Sequence, residues 1–546
     1  MNAIRRLWFE LNPIHNPLLI RELRSRMRGP RLFLLILLFQ GCLMVVLAVT
    51  WSLVYGLHYY GRSSIVSSRG HQLFVSLIVA EAMMICVIVP ALSAGAFTLE
   101  REKQTLEMLL MTPLTGLQAA WGKCLGPFLV SSLLLVTSLP PAASCLFLGG
   151  VSLGEVCLCL VGLALFTLLY TAMAVAISAQ SRSTAAAVFS GEVLAVMFLV
   201  AGGLEALAPG PILASALTPL SWVGRVCSPE ELYAGFLGTA VPFMIPGAAL
   251  LCLTTAFLLL HGPTRLVAPR PHHVALKRLV GLATVAMLAV VLVWGSLRDL
   301  LSSGVGASFA PPGSIGGLSN LGGLVAMASM VTCLAAALYA NSGATGHLQV
   351  IYALGLRRGL LEGLRPRSAF AVGAEACLPW ALAGWLVVPG VVLLGAALMG
   401  EWLHTSDVPG LVGLFAVELG VLLLAYFIGL GAALRHPWDL AKQRILAVGT
   451  LVVLIAYPAV PFLAWGFWNA ARPSAAVDPA VWASVASPAG LLVLFACAGV
   501  PDFRSMGIGI GGHTLAPWMA GLAFLLAAMA LGLRNVSHLC RRLRGR

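Results

Sequence analysis

The stretch LFLLILLFQGCLMVVLAVTWSLVY occupies residues 32–55 and contains no charged side chain. A helix of about 20 mostly apolar residues is long enough to cross the hydrocarbon core of a bilayer. The stretch is too long for the apolar core of a signal peptide, and no small-residue cleavage site follows it. We therefore expect it to remain in the protein as a first membrane span.

The composition extends this expectation to the whole chain. Of its 546 residues, 60% are hydrophobic and 10% are charged, whereas an ordinary soluble domain is about 25% charged. This excludes a water-soluble globule and predicts an all-α, polytopic membrane protein with about 12 transmembrane helices arranged as two six-helix halves. The further apolar runs lie at about residues 73–99, 124–148, 153–179, 185–204, 236–261, 279–297, 321–340, 371–399, 411–434, 445–468 and 515–533.

The charge balance indicates the orientation of the chain. Lys and Arg number 33 against 20 Asp and Glu, which gives a net charge of +13. In a soluble protein this excess would suggest nucleic-acid binding, but in a membrane protein Lys and Arg collect in cytoplasmic loops, so no nucleic-acid partner is expected. The basic residues alternate between successive loops, which predicts a multi-pass protein of the cytoplasmic (inner) membrane with both termini cytoplasmic.

The alternation of spans and loops divides the chain into five predicted segments. Each half has a basic entry and an outer hydrophobic hairpin before its last span, so we expect the halves to be related by an axis along the membrane normal. The segments are a cytoplasmic amphipathic leader at 1–31, a first six-helix half at 32–261, a basic cytoplasmic linker at 262–278, a second, degenerate half at 279–534 and a basic cytoplasmic tail at 535–546.

The leader has the pattern of an amphipathic helix. Leu19, Leu23 and Met27 recur at i, i+4 and i+8, and this spacing places them on one helix face. Pro17 marks the predicted start, and Gly29-Pro30 ends the helix before the first span. The polar residues of the predicted interfacial helix are Arg21, Glu22, Arg24, Arg26 and Arg28.

The run EREKQTLEMLLMTPLTG at residues 100–116 follows the second predicted span. Read as one helix, it places Leu106, Leu109, Leu110 and Leu114 on one face, with Pro113 where the helix should give way. Lys103 and Glu107 would then form an i, i+4 pair. The run is consistent with a helix at the cytoplasmic interface. The alternative is a solvated helix that merely connects two spans.

The order E-R-E-x-x-T-L-E-x-L-L-x-T-P-L-T, followed by Gly122-Lys123, resembles the inner stretch of ABC-2 type transporter permeases. The leader, from Asn16 to Arg28, also resembles the interfacial helix that opens such permeases. Gln104 stands where the family usually has Gly, a change that a helix would tolerate. In the second half, residues 345–367 lack the E-R-E and T-P signatures, which puts a second coupling element in doubt.

The resemblance implies a function for this run. In the family it forms the coupling helix that docks into a partner ATPase. The corresponding residues here are Glu100, Arg101, Glu102, Lys103, Thr105, Leu106, Glu107, Leu109, Leu110, Thr112 and Pro113. The chain would be the permease subunit of an exporter. Its implied partners are cytoplasmic ABC ATPase subunits and the lipid bilayer, with room for a permease partner or a dimer.

The chain itself is not expected to be an enzyme or to hold a cofactor. Gly116 and Gly122-Lys123-Cys124 imitate a Walker A motif, but their spacing is one residue too long and Cys124 replaces the Ser or Thr that binds magnesium. ATP and Mg would bind in the partner ATPase. His272 and His273 lack neighbouring ligands for a metal site, and most cysteines lie in apolar runs, where they behave as small hydrophobes.

Glu81, Glu192 and Glu418 lie inside apolar runs, where an ionised carboxylate is costly. They could line the substrate path or relay protons, or they could be hydrogen-bonded acids that fix helix packing. The first reading leaves open an ion-coupled secondary transporter. A second alternative, a membrane-embedded lipid-linked glycosyltransferase, is disfavoured because the outer loops offer only Glu230 and Glu231 as paired acids near a span.

Overall fold

The computed structural model describes residues 16–28, 30–56, 67–112, 114–207, 218–227, 233–236, 239–242, 244–262, 271–290, 508–510 and 513–515, with isolated residues between 382 and 534. The chain divides into two compact units. The first comprises Met1–Ala234 with Thr239–Pro269, and the second Gly235–Gly238 with Arg270–Arg546. Apart from residues 235–238 and those from residue 271 onward, the features that follow belong to the first unit.

Helices dominate the described residues. The helices are α1 (Pro17–Met27), α2 (Pro30–Gly56), α3 (Ser67–Ser93), α4 (Gly95–Glu102), α5 (Leu106–Leu110), α6 (Gly116–Thr137), α7 (Leu139–Leu148), α8 (Leu153–Gln180), α9 (Thr184–Leu207), α10 (Pro219–Val226), α11 (Met244–His261) and α12 (Pro271–Ala289). Two short two-stranded sheets accompany them, β1 (Tyr233–Phe236) with β2 (Thr239–Pro242) and β3 (Ile508–Ile510) with β4 (His513–Leu515).

Five stretches of the described residues are long and apolar enough to cross a membrane. They are Leu32–Leu53, Gly70–Glu102, Gly116–Leu148, Leu153–Gln180 and Met244–His261, and Thr184–Val196 is a shorter apolar helix. The predicted multi-pass helical membrane protein is therefore confirmed. The runs predicted from residue 321 onward lie almost wholly outside the described residues, so the number of spans in the second half stays a prediction.

The sixth predicted run begins later than the sequence pattern indicated. Residue 236 was the expected start, but Phe236 ends β1 and the span begins at Met244, after β2. A short apolar run such as residues 233–242 is compatible with a strand and with a helix. Hydropathy alone therefore does not distinguish the two. Met244–His261 still provides 18 apolar residues, which is within the range that spans a bilayer.

Two of the spans are interrupted, and prolines lie at both interruptions. Pro90 lies inside α3, and the helix gives way to α4 at Ala94, whose N–H still donates to the Pro90 carbonyl at 2.8 Å. The third span breaks at Ser138, and Pro140 follows in the first turn of α7. Proline has no N–H to donate and is tolerated best in the first turn of a helix. Both spans are therefore interrupted at or close to a proline.

α8 is the central helix of the first unit. α3, α4, α6, α9, α10 and α11 all pack against it, and its aromatic side chains Phe166 and Tyr170 are buried. α2 is peripheral: Phe33, Leu34, Leu37 and Leu38 are exposed on it. An exposed row of large apolar side chains on a spanning helix is typical of a surface that faces lipid.

The predicted outer hairpin contains the short helix α10, which packs on α8. Trp222 of α10 is buried, its Nε1 donates to the Leu158 carbonyl at 3.4 Å, and its ring meets Phe166 edge-on at 6.0 Å. Gly162 makes this possible, because a Cβ at that position would collide with the indole. α10 thus lies near the N-terminal end of α8, far from the segment that joins α4 to α6.

A candidate coupling site at the C-terminal end of the central helix

We call residues 100–115 the elbow. Its first residues are the C-terminal end of α4. α4 ends in a Schellman motif, in which the Thr105 N–H donates to the Glu100 carbonyl at 2.8 Å and the Gln104 N–H donates to the Arg101 carbonyl at 3.1 Å. Gln104 has a φ of 58°, the left-handed region that favours glycine. The prediction of one continuous helix through Gln104 is therefore wrong.

The break also removes the side-chain arrangement that a single helix would give. Lys103 is the cap residue of α4, whereas Glu107 lies in the first turn of α5, so the two are not an i, i+4 pair on one helix. The family that this stretch resembles usually has glycine at the position of Gln104, and the left-handed backbone there is the physical reason. Gln104 occupies that conformation at a steric cost.

The tip of the elbow exposes apolar side chains. α5 is a five-residue helix, and Met108 on it is 66% exposed, while Met111 just after it is 87% exposed. Leu106 and Leu109 are half-buried, and Lys103, Gln104, Thr105, Glu107 and Thr112 are exposed. The Thr112 hydroxyl donates to the Leu109 carbonyl at 2.6 Å. Pro113 and the Leu110 side chain lie outside the described residues.

The return from the elbow is firmly capped. Thr115 begins α6 with a capping box: its hydroxyl accepts from the Gln118 N–H at 3.2 Å, and the Gln118 side chain accepts from the Thr115 N–H at 3.0 Å. Such a reciprocal cap satisfies two otherwise unpaired donors of the helix start. The elbow is thus held between a defined helix end and a defined helix start.

Arg101 and Glu102 fasten the elbow to the turn between α8 and α9. Arg101 donates through Nη1 to the Ser181 carbonyl and through Nη2 to the Ala179 carbonyl at 3.3 Å, at the C-terminal end of α8. Glu102 Oε1 accepts from the Thr184 N–H, the first residue of α9, at 2.7 Å. A cation at a helix C-terminus and an anion at a helix N-terminus both complement the helix dipoles.

The first turn of α4 is fixed to α8 as well. The Ser178 hydroxyl accepts hydrogen bonds from the Phe97 N–H at 2.9 Å and the Thr98 N–H at 3.2 Å. Thr98 is also hydrogen-bonded to Thr184 through their hydroxyls at 3.1 Å. Both ends of α4 are hydrogen-bonded to α8 or α9. A displacement of the elbow would therefore also displace these helices.

A buried lysine joins the elbow to the leader helix. Lys123 Nζ lies 2.8 Å from Glu100 Oε1 and 3.2 Å from Glu22 Oε1, and its side chain is 1% exposed. The ammonium also lies 5.4 Å from the centre of the Phe97 ring, a cation–π distance. One cation thus bridges an acid from α1 and an acid from the end of α4.

The leader helix packs tightly on α6 through two glycines. A Cβ at Gly122 would lie 2.8 Å from Asn16 Nδ2, and one at Gly126 would lie 3.2 Å from the Cβ of Glu22. The Asn16 side chain caps α1 by accepting from the Leu18 N–H and donates to the Gln118 carbonyl at 2.8 Å. Small residues four apart let two helices approach closely.

The leader's faces differ from those predicted. The face against α6 is formed by Leu18, Leu19, Glu22, Leu23 and Arg26, whereas Met27 is exposed. Arg26 Nε lies 3.5 Å from Glu22 Oε2, and Arg26 donates through Nη1 to the Leu92 carbonyl at 3.1 Å. Glu22 and Arg26 therefore face protein, and of the predicted interfacial residues Arg21, Arg24 and Arg28 are the exposed ones.

The acids predicted inside the spans do not belong to the elbow or to its contacts. Glu81 is fully buried in α3 and accepts from the Ser138 hydroxyl at 2.6 Å, at the break between α6 and α7. Glu192 is half-buried in α9. The contact of Glu81 with Ser138 is of the kind that fixes helix packing. Glu418 lies outside the described residues.

Sequence reasoning identified most of the elbow but not its partners. Lys123 was noted only as part of Gly122-Lys123, in the family resemblance and in the imitation of a Walker A motif, although it is the centre of the ion pairs. Asn16, Ser178 and Thr184 were missed. A sequence signal existed for the cap, because Asn16-Pro17 is a typical helix start, whereas the partners of Lys123 lie 23 and 101 residues away in the chain.

One stretch of the chain matches a known protein family. Residues 62–261 match the family model described as ABC-2 family transporter protein. The matched range contains the elbow, Lys123 and α8, and it ends with α11. No curated protein matches the chain at a significant level.

Proposed function

We propose that the chain is the permease subunit of an ATP-driven exporter, because residues 62–261 match the model of the ABC-2 transporter family. The elbow would be its contact with a separate ATPase subunit. The observation that carries this proposal is the exposed tip of the elbow, where Met108 and Met111 project from a short helix whose flanks are fixed to the spans.

The chemistry of the tip suits a protein partner. Methionine side chains are flexible and polarizable, and they are well suited to binding surfaces. Lys103 and Glu107 are exposed beside Met108 and Met111, so the tip has an apolar centre with charged neighbours. This is the arrangement of a protein interface core with its polar rim.

The contacts at the base of the elbow suggest how motion would be transmitted. A push on α5 would move α4, and Arg101 and Glu102 would carry the displacement to the α8–α9 turn. Lys123 would carry it to the leader helix through Glu22. ATP binding and hydrolysis in the partner would then tilt the spans and open a path through the membrane.

The finer architecture also belongs to this proposal. The chain would have twelve spans in two six-helix halves, with both termini in the cytoplasm and the elbow on the cytoplasmic side of the inner membrane. The second half lacks the E-R-E and T-P signatures at residues 345–367. We therefore expect the two halves to engage their ATPase subunits unequally. ATP and Mg would be held by those subunits.

The proposal is tested by co-purification of the full-length chain from its native membrane. We expect an ATPase to co-purify, and Met111→Asp combined with Met108→Asp to reduce its amount at least tenfold, because charge would replace the apolar centre of the interface. Phe147→Asp is the matched control, since Phe147 is 94% exposed at the far end of the third span and should not affect the ATPase.

Two results would contradict the proposal. One is equal recovery of the ATPase with the double Met variant and with wild type. The other is transport by the purified chain in liposomes on an ion gradient with no ATPase present, which would identify an ion-coupled secondary transporter instead.

A further inference from the structure

The leader helix α1 has three distinct sides. One side, with Leu18, Glu22 and Arg26, packs on α6. A second side carries Ile20 and Met27, which are two helical turns apart and more than half exposed. The third side carries the exposed arginines at positions 21, 24 and 28, whose i, i+3, i+7 spacing places them in one row along the helix.

The charges of α1 are sorted between these sides. Glu22 is the one acid of residues 17–28, and it is turned inward onto Lys123 and Arg26. The outer row therefore keeps three positive charges with no acid of its own helix beside them. Because Glu22 is paired with cations inside the protein, it does not offset the arginines on the opposite side of α1. That side is therefore strongly cationic.

The position of α1 places this row beside lipid. α2 begins at Pro30, two residues after Arg28, and it exposes Phe33, Leu34, Leu37 and Leu38 in its first turns. These side chains need an acyl-chain environment. A helix attached to that end of α2 lies at the depth of the headgroups. Ile20 and Met27 can then enter the acyl boundary while the neighbouring arginines reach the phosphates.

We propose that Arg21, Arg24 and Arg28 form a binding site for the headgroup phosphates of anionic phospholipids. Guanidinium groups donate to phosphate in a bidentate manner, and the row from residue 21 to residue 28 is about 10 Å long. The exposed apolar side next to the row favours a ligand with acyl chains over a free phosphate ion. This site does not depend on an ATPase, so it can be present even if the proposed transport function is wrong.

The site is tested with the purified full-length chain after delipidation. Phosphatidylglycerol and phosphatidylcholine with identical acyl chains are added in competition, and native mass spectrometry counts the lipids that remain bound. We expect wild type to retain phosphatidylglycerol in preference. Because each arginine near an anionic headgroup contributes about fivefold in affinity, Arg21→Gln, Arg24→Gln and Arg28→Gln together should weaken phosphatidylglycerol binding about a hundredfold.

Three controls make the result specific. Arg26→Gln removes a charge of the same helix that faces protein, and it should leave the lipid preference unchanged. Replacement of the three outer arginines by Lys keeps the charge but loses bidentate donation, and it should give an intermediate affinity. Glycerol phosphate, which has the headgroup chemistry without acyl chains, should not displace the lipid at millimolar concentration.

The proposal is overturned if the triple Gln variant keeps the wild-type preference, if phosphatidylcholine is lost in parallel, or if glycerol phosphate competes as well as the lipid. It is also overturned if the triple variant keeps the lipid but loses a co-purifying ATPase, because the row would then be a protein interface. Should the triple variant not reach the membrane, the three single Gln variants replace it, each with an expected loss of about fivefold.

Discussion

Lys123 is the residue whose charge holds the elbow and the leader together. Its ammonium is shielded from solvent and faces two carboxylates, Glu22 and Glu100, with side chains that are 21% and 12% exposed. Burial of a charge is costly unless partners compensate for it, and removal of one partner leaves the others uncompensated. In a solvated loop the same lysine would contribute little to stability, and its importance here comes from its burial.

Lys123→Met should lower the free energy of unfolding by about 2–4 kcal/mol, because Glu22 and Glu100 would face each other without a cation. Thermal melting of the full chain in detergent measures the effect. Addition of Glu22→Gln and Glu100→Gln to this variant should recover much of the loss. Lys103→Met, the same change at an exposed site of the elbow, should leave the melting temperature unchanged, and an equal loss in both would refute the role of burial.

Gln104→Gly should raise the free energy of unfolding by about 1 kcal/mol, because glycine enters the left-handed region without the steric cost that a Cβ imposes. Gln104→Ala serves as the comparison, since it shortens the side chain but keeps the Cβ. The expectation fails if the alanine variant gains as much stability as the glycine variant in the same melting experiment.

At the scale of elements, the elbow connects the end of α4 to α5 through a left-handed residue, and its base is fixed to the α8–α9 turn. Arg101 and Glu102 fasten this base, and Arg101 is the more buried of the two. Arg101 donates to two carbonyls at the end of α8, where the helix leaves acceptors without an intrahelical partner. Loss of this cap should loosen the turn without unfolding the spans.

Arg101→Gln should therefore speed tryptic cleavage after Arg182, in the turn that Arg101 holds. Hydrogen bonds to a charged donor contribute about 1.5–3 kcal/mol when buried, and we discount this to about 1–2 kcal/mol because Arg101 is partly exposed. Opening of the turn should then increase roughly 5- to 30-fold. Lys103→Gln is the neighbouring control, and equal cleavage rates for the two variants would exclude the capping role.

These elements show where sequence patterns suffice and where they fail. α2, α6 and α8 follow from apolar length alone, because a span is defined by the thickness of the bilayer. The elbow was predicted at the right place but as one helix, since the leucine spacing after Gln104 and the i, i+4 spacing of Lys103 and Glu107 both fit a helix and do not reveal the reversal of φ at Gln104. The Lys123 cluster joins residues 22, 100 and 123, and no local pattern reports such distant partners.

At the scale of the whole molecule, the first helical unit has two different ends. The elbow, the α8–α9 turn and the start of α6 lie together at one end, and α10 with the start of α8 lies at the other. The basic residues Arg101, Lys103, Lys123 and Arg182 all belong to the elbow end. Under the positive-inside rule we expect this end to be cytoplasmic.

Cysteine labelling tests this orientation. In a chain with its 12 native cysteines replaced, Met111→Cys should be protected from a membrane-impermeant maleimide in intact cells, and Phe147→Cys should be labelled. Both positions are highly exposed, so accessibility within the protein does not separate them. Permeabilised cells should label both, and a reversed pattern in intact cells would invert the topology.

The docking of α1 on α6 also sets an order of events during synthesis. Asn16 and the Gln118 carbonyl that it binds are 102 residues apart, a length of chain that the ribosome needs roughly 5 to 20 s to make. During this interval Glu22 and Arg26 have neither Lys123 nor α6 beside them. The leader is therefore made before its partners on the third span exist, and Lys123 can neutralise Glu22 only after that span has been synthesised.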